Sequence, residues 1–157
     1  MGEYRVISSD DHLLEVPDLW TSRLGHKYGD RVPRIVRLEN GGEWWFTDGM
    51  KGQPIAAATM TGVRFDPSLA LSLNASSEQV RPGAFDPDEH LKDMDIDGVY
   101  ASILYPNAGF MIYSVPDTEL LNDVFSTYND WVSEHCQTHP NRLKGLGMIN
   151  LDDIQWG

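Results

Sequence analysis

The residues best suited to chemistry stand near the start of the chain, where Ser8-Ser9-Asp10-Asp11-His12 follows the run Tyr4-Arg5-Val6-Ile7. That run is short, apolar and β-branched at its end, and it reads as the start of a strand. Alternate residues of a strand point the same way, so Asp10 and His12 could grip one ion between them. One carboxylate oxygen and one imidazole nitrogen suit Zn²⁺, Mn²⁺ or Fe²⁺ better than Ca²⁺. Such an ion polarises a substrate carbonyl or sharpens a bound water into a nucleophile. The same five residues also read as an ordinary turn with a capping side chain, and spacing alone leaves both readings open.

Three other patterns fail on inspection. Asp93-x-Asp95-x-Asp97-Gly98 copies the opening of a calcium loop, but its twelfth position is Leu104 and the segment runs into an apolar strand. His135-Cys136-Gln137-Thr138-His139 has the histidine spacing of a zinc protease, with Cys where that mechanism needs Glu. The two imidazoles read more simply as groups that favour a helix C-terminus. Cys136 beside His135 suggests a thiol nucleophile, but neighbours on a helix point apart, and a small buried thiol is expected.

The elements that must position these residues alternate. Val16 to Leu24 predicts a short helix, with Leu19, Trp20 and Leu24 on one side. Ile35–Leu38 and Glu43–Phe46 flank Asn40-Gly41-Gly42, which is hairpin chemistry, and Asp48-Gly49 and Lys51-Gly52 supply further turns. Ala56 to Pro82 reads as irregular with room for one short helix. So long an excursion suits a lid or a binding loop. Pro87 to Asp95 predicts a helix ending before Gly98, and Val99 to Tyr105 a strand buried on both faces. A longer helix opens at Pro116-Asp117 and runs to about Thr138, with a stripe of Leu120, Leu121, Val124, Tyr128, Trp131 and Val132. Leu143 to Leu151 predicts a third strand, and Asp152-Asp153 the N-cap of a helix from Ile154. Strands alternating with helices argue for a parallel sheet, and three such strands with open edges make a poor domain by themselves. At 157 residues the chain is roughly half of a (β/α)8 barrel, which typically needs about 250. A truncated barrel is the expectation.

Composition sets the outer bounds. With 41% hydrophobic residues, 23% charged and five Trp, the chain can offset its ordering entropy. Its formal charge of -12 repels phosphate and anionic lipid, so neither nucleic acid nor a membrane surface is an expected partner. One cysteine precludes an intrachain disulfide framework. No run has the length of a signal peptide or membrane span, and a cytoplasmic location is the default.

Several motifs in order carry a resemblance. Ile7-Ser-Ser-Asp10-Asp-His12-Leu-Leu-Glu15-Val-Pro17-Asp-Leu-Trp20 resembles the opening of amidohydrolase-related proteins, where the first strand ends in Asp-x-His and Glu-x-Pro-x-x-Trp follows. Asp86 to Val99, the strand end Ile103-Leu-Tyr-Pro106, Asn129-Asp-Trp131, Pro140-Asn-Arg142-Leu and Gly145-Leu-Gly-Met-Ile-Asn150 are similar to later segments of that family. The resemblance covers about residues 4–34 and 86–157 and implies an α/β fold: the first three βα units of a TIM-like (β/α)8 barrel with a hairpin-containing excursion at 35–85. It implies a mononuclear divalent metal (Zn, Mn or Fe) without an organic cofactor, and hydrolysis of C–N or C–O bonds or decarboxylation of small acids, aromatic ones included. A homo-oligomer in the full-length form is compatible with it. Carried over residue by residue, Asp10 and His12 are the first-strand metal ligands. Asp-x-His stands where the hydrolase branch usually has His-x-His and many decarboxylases Glu-x-His, which leaves the reaction type open. The family's later ligands, a histidine and an aspartate, and the catalytic residues would fall after residue 157. The chain alone is therefore expected to bind metal weakly and to be inactive. Glu15 could orient a loop or a ligand, or serve as a helix N-terminal carboxylate. Tyr105, Asn107 and Asn150 lie at strand ends and could contact substrate, though Asn107 and Asn150 also read as turn and cap residues. The competing reading is a non-catalytic chain that docks on a partner through its open sheet edge and its Trp44-Trp45 hairpin, or one without function.

Overall fold

The computed structural model describes residues 4–60 and 74–156. Two three-stranded sheets organise them. In the first, β1 (Val6–Leu13), β5 (Val99–Pro106) and β6 (Leu143–Gly145) run parallel in the order β1-β5-β6. In the second, β2 (Arg34–Arg37), β3 (Glu43–Thr47) and β4 (Met50–Pro54) form an antiparallel meander. The expected hairpin thus gains a third strand. Asp48 and Gly49 both take positive φ, 50° and 78°, the backbone a tight two-residue hairpin turn demands.

Four helices connect the strands: α1 (Leu19–Tyr28), α2 (Pro87–Asp97), the single turn α3 (Gly109–Ile112) and α4 (Thr118–Gln137). Asp86 caps α2 by accepting the N–H groups of Asp88 and Glu89, each at 3.0 Å, and Gly98 ends it at φ 71°. Asp117 caps α4 in the same way. The predicted stripe of α4 is buried against the parallel sheet and α1. The indole of Trp20, fully buried, donates to the Val124 carbonyl at 3.0 Å and meets Trp45 edge-on at 5.6 Å. One Trp therefore joins α1, α4 and the meander into one core.

The expected cap at Asp153 is present, its Oδ1 accepting the Trp156 N–H at 3.3 Å over a turn at 154–156, whereas a first difference is the third strand, shorter than its apolar run suggests. Asn129 of α4 explains the first difference. Its side-chain amide donates to the Met148 carbonyl at 2.9 Å and accepts the Met148 N–H at 2.7 Å, taking both groups that a strand ladder would use. Residues 75–84 hold two 3-10 turns, Ser77–Gln79 and Pro82–Ala84, and a third covers Ile55–Met60. The rest of the irregular segment expected between Ala56 and Pro82 includes residues 61–73, outside the described residues.

Candidate metal centre

Pairing of β1 with β5 slips between Ser8 and Asp11: Ser8 faces Ser102, yet Asp11 faces Leu104. Three residues of β1 thus span what two of β5 span, a bulge that re-aims the strand end. Asp10 lies within it and His12 just past it, and the two converge, with Asp10 Oδ1 3.7 Å from His12 Nε2. Their side chains are 79% and 47% exposed, so an ion could reach them.

The donor set fits a divalent transition metal. Two ligands each about 2.1 Å from one ion at a tetrahedral angle lie about 3.4 Å apart, close to the spacing seen. The distance is long for a hydrogen bond between the two groups. His12 Nδ1 lies 3.3 Å from the Pro106 carbonyl. A carbonyl only accepts, so this contact is a hydrogen bond in the Nδ1–H form, the form that leaves Nε2 free to bind an ion shared with Asp10. Among the described residues no third His, Cys, Asp or Glu joins them in a cluster able to hold a metal.

Aromatic rings flank the imidazole. Tyr105 of β5 and Phe110 of α3 each stand 6.0 Å from it, centroid to centroid. Asn107 follows β5, and its Oδ1 accepts the Gln53 amide of β4, which brings the meander to the strand end. Glu15 is buried, 1% exposed, and its carboxylate accepts the N–H groups of Asn107 (3.0 Å), Ala108 (2.8 Å) and Gly109 (3.1 Å). Burial pushes its pKa up, against the pull of those three donors. The helix terminus it serves is therefore that of α3, not the one following it in sequence. Asn150 lies five residues past the end of β6, and is also buried. Its Nδ2 donates to Asn122 Oδ1 at 2.7 Å, and its Oδ1 accepts the Asp152 N–H at 3.1 Å.

Sequence reasoning passed over Asp11. Its side chain turns to the helix layer, where Oδ2 accepts the Ser102 hydroxyl at 2.9 Å and lies 3.3 Å from His90 Nε2. The other nitrogen of His90 donates to the Gly83 carbonyl at 2.7 Å. Asp11 holds the His90 pKa above its usual value; burial raises the Asp11 pKa, but His90 and Ser102 outweigh it. Strand alternation, which groups Asp10 with His12, also sends Asp11 the other way, so the signal was present. Phe110 and Gln53 gave no such signal, because each sits on another element, α3 and β4, that only the fold brings to β1 and β5. The remaining decoys resolve physically. Asp93 and Asp95 lie on α2 and pair with Arg81 and Arg142, which removes the calcium loop. His139 pairs with Asp88 at 2.6 Å. His135 does not present a charge to the end of α4: burial lowers its pKa to about 4, and its Nε2 has no hydrogen-bond partner among the described residues. Burial pushes the Cys136 thiol up, away from nucleophilic thiolate.

No family model and no curated protein matches the chain. Among solved structures it is similar over 99% of its length to an amidohydrolase from Mycobacterium avium subsp. paratuberculosis K-10, at 17% identity and a TM-score of 0.68, covering 45% of that chain. It is similar over 98% of its length to a 5-carboxyvanillate decarboxylase from Novosphingobium aromaticivorans DSM 12444, at 15% identity and a TM-score of 0.54, covering 36% of that chain. That second structure holds manganese and 3-methoxy-4-hydroxy-5-nitrobenzoic acid. The chain spans less than half the length of either. The fold is therefore that of an amidohydrolase-type barrel in part, as expected from the motifs. No helix among the described residues is long and apolar enough to cross a membrane.

Proposed function

We propose that this chain supplies the first two ligands, Asp10 and His12, of a divalent-metal centre in an amidohydrolase-related enzyme that hydrolyses C–N or C–O bonds or decarboxylates a small acid. The observation that carries the reading is the convergence of Asp10 Oδ1 and His12 Nε2 to 3.7 Å, with His12 Nδ1 engaged by the Pro106 carbonyl. When bound, a Zn²⁺, Mn²⁺ or Fe²⁺ ion supplies Lewis acidity at a substrate oxygen. The protein's own residues do the rest. His12 offers a lone pair whose direction is set by its other nitrogen. Tyr105 and Phe110 wall the imidazole and offer an apolar surface to a planar substrate. Asn107, whose Oδ1 is taken by Gln53, keeps its Nδ2–H donors for a substrate oxygen. Glu15 spends its oxygens on the 107–109 turn beside this surface, and Asn150 spends its polar atoms on Asn122 and Asp152.

Crystals grown with Mn²⁺ test the assignment. The expected result is an anomalous peak about 2.0–2.3 Å from both His12 Nε2 and an Asp10 oxygen. A peak held by other side chains, with Asp10 and His12 ordered and bare, would overturn it.

A further inference from the structure

Glu15 places a carboxylate in the interior with no Lys, Arg or His paired to it among the described residues; its partners are three consecutive backbone N–H groups. Those groups belong to Asn107, Ala108 and Gly109, directly between the two residues that touch His12 from this side. Pro106 precedes them and offers its carbonyl to His12 Nδ1, and Phe110 follows them and sets its ring against the imidazole. Gathering three N–H groups onto one carboxylate fixes the path of the chain at 106–110. The Pro106 carbonyl and the Phe110 ring are thereby held in place.

We infer that Glu15 is a positioning residue that sets the tautomer and bearing of His12, acting through the 106–110 backbone. Only the meaning of this for metal binding rests on the proposed function; the link from Glu15 to His12 stands on the geometry alone. A histidine side chain free in water favours the proton on Nε2, the form that cannot bind metal through that atom. The Pro106 carbonyl draws the proton to Nδ1 while the Asp10 carboxylate, 3.7 Å from Nε2, draws it the other way, and Glu15 keeps the carbonyl where it can compete. The Glu15→Gln variant keeps the shape but has one acceptor oxygen for three donors and turns an NH₂ group towards an N–H. The 106–110 segment must then shift.

The test reads the ring nitrogens of His12 by ¹⁵N magnetic resonance in metal-free protein carrying Asp10→Ala, which removes the carboxylate facing Nε2, at a pH where the imidazole is neutral. With Glu15 intact, His12 in this background is expected to hold the Nδ1–H form. Glu15→Gln is expected to move His12 to predominantly Nε2–H, with the His90 and His135 signals unchanged as the measure of an intact fold. Glu15→Asp, which keeps the charge, is expected to restore part of the Nδ1–H form. With Asp10 intact, affinity for Mn²⁺ should fall about 10- to 100-fold in Glu15→Gln, the usual cost of removing support behind a metal ligand. A His12 in the Nε2–H form with Glu15 intact and Asp10 replaced overturns the inference whether or not the Glu15 variant folds. So does a folded Glu15→Gln protein that keeps His12 in the Nδ1–H form. Mn²⁺ binding at His12 with an unchanged tautomer in the variant would leave the metal centre standing and remove Glu15's role. A changed tautomer with no Mn²⁺ binding at all would do the reverse.

Discussion

Single side chains in this protein often replace backbone pairing. Asn129 holds both the N–H and the carbonyl of Met148, and Glu15 holds three N–H groups. Removing such a clamp leaves backbone groups short of partners, so Asn129→Ala should destabilise the fold by about 1–3 kcal/mol. Urea unfolding measures this; a change below about 0.5 kcal/mol would show that water replaces the amide without loss. At this scale the sequence was legible where local parity governs. Spacing two apart suggests a shared side for Asp10 and His12, and they do converge to 3.7 Å, with the register slip between Ser8 and Asp11 adding what the sequence did not mark. Asn150 and Glu15 were harder. Their types at strand ends suggest substrate contacts, but only the fold shows that the Asn150 oxygen is taken by the Asp152 N–H and the Glu15 oxygens by a turn some ninety residues away.

The elements were legible wherever a run of residues carried its own period and ends. The stripe of α4 and the Asp86–Pro87 and Asp117 starts are of this kind. β6 was misjudged because Asn129, on another element, ends its ladder, and the third strand of the meander because Met50–Pro54 has no apolar alternation. The C-terminal part of α4 carries a consequence for pH. His135 packs against Trp131 at 5.8 Å and is held neutral, its pKa lowered from 6.5 to about 4 by burial and by the nearby His90 and His139, with Asp86 opposing. A histidine whose folded pKa is lowered contributes stability that is present above its unfolded value and lost as pH falls. The loss runs from about pH 6.5 down to about pH 4, and is on the order of 2 kcal/mol once solvent screening is allowed for. His135→Phe should therefore lose less stability than the wild type between pH 7 and pH 4. Equal losses in thermal melts at the two pH values would contradict a buried neutral imidazole.

At the scale of the molecule, β1 and β6 each pair on one side only among the described residues, since both flank β5. Beside β6 a cleft of about 370 Å³ opens between Val132, Cys136, Leu143 and Gly145. Beyond that edge Ile149, Leu151 and Ile154 are 50%, 79% and 89% exposed. Unpaired parallel edges next to exposed aliphatic groups favour association, so the 157-residue chain should elute from gel filtration as concentration-dependent oligomers. A sharp monomer at every concentration would contradict this. The overall architecture could be read from the alternation of strands and helices, because each βα unit writes its own signal. Nothing in a local window marks what would cover the open edges.

A Mn²⁺ titration followed through the histidine ring signals tests the shared-ion geometry most directly. With two protein ligands among the described residues, binding should be weaker than micromolar and still selective. His12 should broaden first, well ahead of His90 and His135, and Asp10→Ala should abolish that order. Uniform broadening of all the rings, or a His12 signal that persists after the buried histidines have broadened, would show that Asp10 and His12 do not share a cation.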